Sequence, residues 1–99
     1  MQAVLPKVQN DMAEIHTLLE DADNNTKNDI ENTIVEMGAS IVDALVMSLR
    51  NLKGLARGIA AMSIIRIGED AIPYLRHEAM RNKEFAWVAD YLISEIECR

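Results

Sequence analysis

The feature that most limits how this chain can fold is an internal repeat centred on two glycines. Gly38 and Gly68 lie thirty residues apart, and each ends a pattern of apolar residues with helical spacing. In the same register Leu45 corresponds to Leu75. Fixed periods of this length are typical of stacked helical repeats, in which each unit buries its apolar face against its neighbours. The repeat therefore favours an array of packed helices over an irregular globule.

Apolar residues recur every three or four positions along nearly the whole chain, and no stretch alternates as a strand would. The spacing predicts an all-α fold of about six helices in one domain, residues 1–99. The first is expected over residues 2–22, and the second is capped by Thr26 and ends at Gly38. The others run from a Ser40 cap through Leu52, over residues 55–67, from an Asp70 cap to Met80 or Arg81, and from Asn82 through Ile96.

The fourth of these helices is apolar nearly all the way round, which is unusual for a helix with one side in water. Its small residues Gly58, Ala60 and Ala61 are predicted to let neighbouring backbones approach closely. A middle helix of a stacked array is covered on two sides, and this accounts for the pattern. A buried central helix of an ordinary bundle would give a similar pattern.

Residues 56–68 read Ala-Arg-x-x-Ala-Ala-x-Ser-Ile-x-x-Ile-Gly. They resemble the first helix of a HEAT-like repeat, whose pattern is Val-Arg-x-x-Ala-Ala-x-Ala-Leu-x-x-Ile-Gly. Residues 71–75, Ala-Ile-Pro-x-Leu, resemble its second helix. Residues 26–52 match less closely, with Lys27 at the arginine position and Asp43 at the proline position, and residues 85–96 match as a first helix only. The resemblance implies a short α-solenoid, or α-α superhelix, of antiparallel HEAT-like hairpins.

The start of the chain, Val-Leu-Pro-x-Val at residues 4–8, resembles a second helix, so the repeat is expected to begin and end half-way through a pair. Trp87 and Tyr91 lie outside the main apolar stripe of the last helix. Two arrangements are open at this point. The aromatics could form an interface, including a homodimer through the C-terminal helix, or Trp87 could fold back into its own core.

The charge, the apolar runs and the single cysteine of the chain limit the kinds of partner and location that are expected. The chain carries 16 acidic and 10 basic residues, a net charge of −6, which argues against nucleic acid or an anionic membrane as the main partner. Polar and charged residues interrupt the N-terminal stretch, so no signal peptide is expected, and the most apolar run, residues 58–65, is too short to span a bilayer. Cys98 is the only cysteine, so no internal disulfide is expected, and a reducing, cytoplasmic location is predicted.

Candidate chemical sites are few. Four residues have the spacing of a calcium-binding loop: Asp21, Asp23, Asn25 and Asp29. However, Thr26 stands where that loop needs glycine, and Asn32 where it needs glutamate, so no metal site is expected. The His77-Glu78 pair is similar to the metal-binding pairs of deoxyhypusine hydroxylase, an iron enzyme of HEAT-like repeats, but that enzyme needs several such pairs. The sequence therefore predicts a protein that is not an enzyme and holds no cofactor.

The function implied by the resemblance is a scaffold or protein–protein interaction module. In that family the second helices line the partner-binding side. The aromatics of the last helix are added here because they lie outside its apolar stripe. The expected partner-binding residues are Lys7, Asp11, Glu14, Met47, Asn51, Tyr74, His77, Arg81, Trp87 and Tyr91.

Two alternatives stand beside this interpretation. HEAT-like repeats resembling these occur in phycobilisome lyase subunits, so the chain could be a small accessory or lyase-like subunit that handles bilins. A helical bundle with a purely structural role is the second alternative.

Overall fold

A computed structural model describes residues 6–98 of the chain, with side chains from residue 10 to residue 98. Helices and short connections account for all of these residues, and no strand occurs among them, so the all-α prediction is confirmed. The α-helices are α1 Pro6–Glu20, α2 Lys27–Met37, α3 Val42–Leu49, α4 Gly54–Ile67, α5 Ile72–Arg81 and α6 Ala86–Glu97. Short 3-10 helices lie at Gly38–Ser40, Gly68–Ala71 and Lys83–Phe85.

The two repeat glycines end their helices in the same way. Gly38 has a φ of 56° and Gly68 a φ of 87°, which is a backbone conformation that favours glycine over residues with a Cβ atom. The backbone N–H of Gly38 donates to the carbonyl of Ile34, and that of Gly68 donates to the carbonyl of Ile64. The predicted ends of α2 and α4 are therefore confirmed, and both helices turn through a 3-10 segment into the helix that follows.

The predicted side-chain cap at Thr26 is wrong. Asp23 organises this turn instead, because its carboxylate accepts hydrogen bonds from the backbone N–H groups of Thr26, at 2.9 Å, and Asn25, at 2.8 Å. These donors favour the ionised form and hold the pKa of the Asp23 carboxyl below its usual value, with a further contribution from the Thr26 hydroxyl. The Thr26 hydroxyl lies 3.1 Å from the Asp23 carboxylate and caps no N–H of α2.

The caps predicted at Ser40 and Asp70 are wrong for a related reason. Both residues lie inside the 3-10 segments that follow the glycines, one residue before the N-cap positions Ile41 and Ala71. The Ser40 hydroxyl donates to the carbonyl of Met37 at 2.7 Å, and neither α3 nor α5 has a side-chain cap. Pro73 occupies the first turn of α5, as predicted.

Helices that are separated by one helix in the chain order pack against each other. α3 lies between α1 and α5, and α4 lies between α2 and α6, so the odd-numbered and even-numbered helices form two rows. The rows meet mainly where α3 packs along α4 and α5 along α6. By contrast, α4 and α5 meet mainly through the 3-10 segment between them. The axis of α2 and its 3-10 extension makes an angle of 120° with α3.

The core lies between the two rows and draws on every helix. The largest fully buried side chains are Ile15, Ile34, Val42, Leu45, Val46, Leu49, Ile64, Leu75 and Leu92. Burial of this much branched aliphatic surface supplies the main favourable term in folding.

Helix α4 departs from the sequence prediction at one position. Ala60 is fully buried and Ala61 packs partly against the core, as their small size suggested. Gly58, however, is exposed, and a Cβ atom added to it would meet nothing within 4 Å. The prediction of a close backbone contact at Gly58 is therefore wrong.

None of the described helices is by itself long and apolar enough to cross a bilayer. Only α2 with its 3-10 extension, taken together with α3 across the 120° bend, has the length and apolar composition of a membrane span.

Candidate partner-binding site

The structure places the predicted partner-binding residues on several surfaces. Exposed side chains are Glu14, Asn51, Tyr74, His77, Arg81, Trp87 and Tyr91. Asp11 and Met47 are half-buried. Lys7 lies in α1, but its side chain is outside the described part of the chain. Residues 2–5 of the predicted first helix are also outside it. Asn51 and Trp87 come together in one cleft.

This cleft lies at the edge of the two rows of helices, where α3 connects to α4 and α5 connects to α6. It has a volume of about 320 Å³ and is called the arginine cleft below. Its lining residues are Arg50, Asn51, Arg57, Asn82, Glu84, Phe85, Trp87 and Val88. Two connections that are distant in sequence thus line the same depression.

One wall is held by a buried carboxylate. Glu78 of α5 is only 3% exposed, and its Oε2 atom lies 3.2 Å from Nη1 of Arg50. Its Oε1 atom lies 3.6 Å from Nη1 of Arg81. A buried charge is tolerated only with a partner of opposite charge, so Glu78 fixes the end of α3 to α5 and orients Arg50 at the cleft.

The opposite wall is held by an amide. Asn82, predicted to start the last helix, accepts a hydrogen bond from the backbone N–H of Glu84 on its side-chain oxygen, at 3.0 Å. This bond closes the 3-10 segment before α6 and so fixes where that helix begins. Trp87 follows in the first turn of α6, next to the cleft.

Arg57 differs from the other arginines that contact neighbouring helices. Arg66, also of α4, lies 2.9 Å from Oε2 of Glu31 and 2.8 Å from Oδ1 of Asn32. Arg57 is half-buried at the cleft, yet its side chain makes no hydrogen bond or ion pair with any residue from 10 to 98. A half-buried guanidinium without a partner is a group that an anion can satisfy.

The outer face of α6 carries two exposed aromatic side chains. Trp87 is 70% exposed and Tyr91, one turn later, is 59% exposed. The opposite face of the same helix contributes the buried residues Ala89, Leu92, Ile93 and Ile96 to the core. The arrangement in which Trp87 folds back into its own core is therefore wrong, and an interface at this face stays a prediction.

A second groove runs between α1 and the end of α3. It has a volume of about 430 Å³ and is lined by Met12, Ala13, Ile15, His16, Thr17, Ser48, Asn51 and Leu52. Ser48 is 6% exposed, and its hydroxyl has no hydrogen-bond partner within the described part of the chain. A third depression of about 300 Å³ continues this groove past Leu19 and Lys53. Asn51 lies at the junction of the arginine cleft with this groove.

The site residues that sequence reasoning missed are Arg50, Arg57, Asn82 and Glu84. The repeat register contains a signal for one of them, since the thirty-residue shift that relates Gly38 to Gly68 also relates Arg57 to Trp87. Equivalent positions in neighbouring first helices are expected on the same edge of the array. The partnership of Arg50 with Glu78 has no comparable sequence signal.

Neither the described side chains nor the comparisons assign a chemical activity. Among residues 10–98 no group of three or more histidine, cysteine, aspartate or glutamate side chains is placed to hold a metal ion. A scan against protein-family models and searches of curated proteins and of solved structures found no match for this chain.

Proposed function

We propose that this chain is a short α-solenoid of HEAT-like hairpins that acts as a non-catalytic protein-interaction module. Two features of the described helices support the solenoid. The odd-numbered and even-numbered helices contact each other in chain order, as layers of a solenoid do. The Gly38 and Gly68 turns also have the same hydrogen bond and similar backbone angles, as two copies of one structural unit would.

The observation that carries the interaction function is the exposed aromatic face of α6. Trp87 and Tyr91 leave most of their surfaces in water beside a cleft that contains Arg57, which has no partner among the described side chains. Tryptophan, tyrosine and arginine are the residues most enriched among those that dominate binding energy in protein interfaces. The partner face proposed here consists of Trp87, Tyr91 and the arginine cleft. A cytoplasmic location is part of the proposal, because the single cysteine suits a reducing compartment.

The bilin-handling alternative receives less support. The three depressions have volumes of about 320, 430 and 300 Å³, at the lower end of the range for small-molecule sites. A bilin would need a longer apolar groove than any one of them offers. Incubation with a bilin followed by absorbance spectroscopy tests this alternative directly.

Affinity capture from an extract of the native source tests the proposed function. The baits are the wild type, the double variant Trp87→Ser/Tyr91→Ser, and Met62→Ser as a matched control. Met62 is also exposed and apolar, at 46%, but lies on α4 and lines none of the three depressions. We expect proteins that are retained by the wild type and by Met62→Ser and are lost with the double variant. Identical retention by all three baits would contradict the proposed face, provided that circular dichroism shows each bait to be folded.

A further inference from the structure

We propose that the arginine cleft binds a short acidic segment of the partner protein, in which one aspartate or glutamate stands beside an apolar residue. This inference rests on the proposed interaction function and adds the chemistry of the partner. The carboxylate pairs with Arg57, and the apolar neighbour lies on the ring of Trp87.

The argument for a carboxylate begins with Arg57. Its guanidinium is half-buried and has no partner among the described side chains, whereas Arg50 and Arg66 each have a carboxylate within 3.2 Å. Partial burial removes some of the water that would solvate the charge, and no side chain from residue 10 to residue 98 replaces it. The planar guanidinium presents parallel N–H donors that match the two oxygens of a carboxylate.

The net charge of the residues that line the cleft favours a ligand group with a single negative charge. Arg50 and Arg57 are positive and Glu84 is negative, so the eight lining residues together carry one net positive charge. Glu78 is already neutralised by Arg50 and Arg81. One carboxylate balances this lining, whereas a phosphate group, with a charge of about −1.5 to −2, leaves excess negative charge beside Glu84.

The overall charge of the chain does not oppose this pairing at close range. The net charge of −6 repels an acidic partner at long distance. At physiological ionic strength, however, exposed charges more than about 8 Å apart are largely screened. The charges that line the cleft therefore decide the balance, and these are two arginines and one glutamate, with one net positive charge.

Arg57 selects the acidic residue of the segment, and Trp87 selects the apolar residue beside it. Its ring is 70% exposed and lies at the rim of a cleft of about 320 Å³, which is large enough for side chains of a peptide but small for a whole helix. An apolar side chain next to the bound carboxylate covers part of this ring and gains from its burial. The preferred segment is thus acidic at one position and apolar at the next.

Tryptophan fluorescence tests the proposal on the intact protein, because Trp87 is the only tryptophan of the sequence. The probes are pools of blocked hexapeptides without tryptophan, with a fixed central aspartate and randomised apolar neighbours. A matched pool carries asparagine at the fixed position, and a third carries phosphoserine. We expect the aspartate pool to shift Trp87 emission at a roughly tenfold lower concentration than the asparagine pool, which is the effect of about 1.4 kcal/mol from charged hydrogen bonds.

Variants then assign the effect to Arg57. Arg57→Gln is expected to weaken binding of the aspartate pool by roughly tenfold or more, and Arg57→Lys, which keeps the charge but not the planar fork, by less. The control is Arg76→Gln, which makes the same change in net charge at an exposed arginine of α5 outside the cleft. Arg76→Gln is expected to bind like the wild type, and circular dichroism checks that each variant is folded.

Several outcomes would overturn the proposal. These are equal binding of the aspartate and asparagine pools, preference for the phosphoserine pool, an equal emission shift with sodium acetate alone, or unchanged binding by Arg57→Gln. Binding that depends on Trp87 but not on aspartate leaves the interaction function in place and rejects only the acidic partner. If no pool binds, the proposal of an acidic partner segment is rejected. The proposed interaction function is rejected as well only if the affinity capture is also negative.

Discussion

Arg50 and Glu78 show how one ion pair joins parts of the fold that the sequence keeps apart. Glu78 is nearly fully buried, whereas about half of the Arg50 side chain faces water. The pair therefore serves mainly to satisfy a carboxylate that packing has placed inside the protein. It also holds the α3–α4 connection against α5, and this connection is one wall of the arginine cleft.

Removal of Arg50 is expected to destabilise the protein. In Arg50→Gln, Glu78 keeps only the longer contact with Arg81, so its desolvation is less well compensated. We expect the free energy of unfolding to fall by about 1–3 kcal/mol, measured by urea denaturation. Arg76→Gln serves as the control and is expected within about 0.5 kcal/mol of the wild type. Equal stability of the two variants would mean that the pair contributes nothing.

The Asp23 turn gives a prediction about titration. Backbone N–H donors from Thr26 and Asn25 favour the carboxylate form, so the pKa of Asp23 is expected below its usual value of 3.8. Because the folded-state pKa is lowered, the contribution of Asp23 to stability is present above the unfolded-state pKa and is lost as the pH falls through the folded-state pKa. NMR titration of the side-chain carboxyl measures the midpoint. Thr26→Val, which removes the hydroxyl, is expected to raise this midpoint, and a midpoint at or above 3.8 in the wild type would contradict the turn geometry.

At the scale of the helices, two glycines of the repeat unit have opposite roles. Gly68 ends α4 with a positive φ, whereas Gly58 lies in the middle of α4, exposed and with open space around its Cα atom. The first position needs glycine for the backbone conformation, and the second does not. The difference provides a matched pair of substitutions within one element.

Gly58→Ala is expected to stabilise the protein by about 0.5–1 kcal/mol, because alanine loses less backbone entropy in a helix. Gly68→Ala is expected to destabilise it by about 1–2 kcal/mol, because a residue with a Cβ atom is strained at this φ. Urea denaturation of both variants measures the two effects. A loss of stability in Gly58→Ala would show that this glycine does make a close contact.

Local signals predicted the helical elements well and their caps poorly. The apolar spacing and the two glycine ends were sufficient for the all-α fold and for the ends of α2 and α4. The caps at Thr26, Ser40 and Asp70 failed because the chain enters a turn or a 3-10 segment there, and the hydroxyls of Thr26 and Ser40 bond within it. The pairing of Arg50 with Glu78 depends on how α3 crosses α5, which helical periodicity does not specify.

At the scale of the whole molecule, the described chain forms a flattened body. Its radius of gyration is 12.7 Å, close to the value of about 13 Å expected for a compact domain of this length. Its extents are 38 × 35 × 22 Å, and the thin dimension suits two rows of helices packed face to face. The sequence repeat predicted stacking but did not specify that the aromatic side of α6 would face outward.

Self-association through α6 is expected from this exposed face. A symmetric dimer would bury Trp87 and Tyr91 of both copies, at about 2–3 kcal/mol for each fully buried aromatic side chain before association costs are subtracted. We therefore expect a weak, reversible dimer at high micromolar concentration in sedimentation equilibrium. The double variant Trp87→Ser/Tyr91→Ser is expected to be a folded monomer. A wild type that remains monomeric, or a double variant that still dimerises, would contradict this interface.

The order of the helix contacts has a consequence for how the chain acquires its structure. Each described helix finds its main partners no more than two helices away along the chain, as α1 does with α3 and α4 with α2. Contacts of such short sequence separation require little loop closure, and chains dominated by them fold fast. During synthesis, α2 can therefore pack against α4 as soon as α4 has emerged from the ribosome. None of the described helices depends for its main contacts on a segment at the other end of the chain.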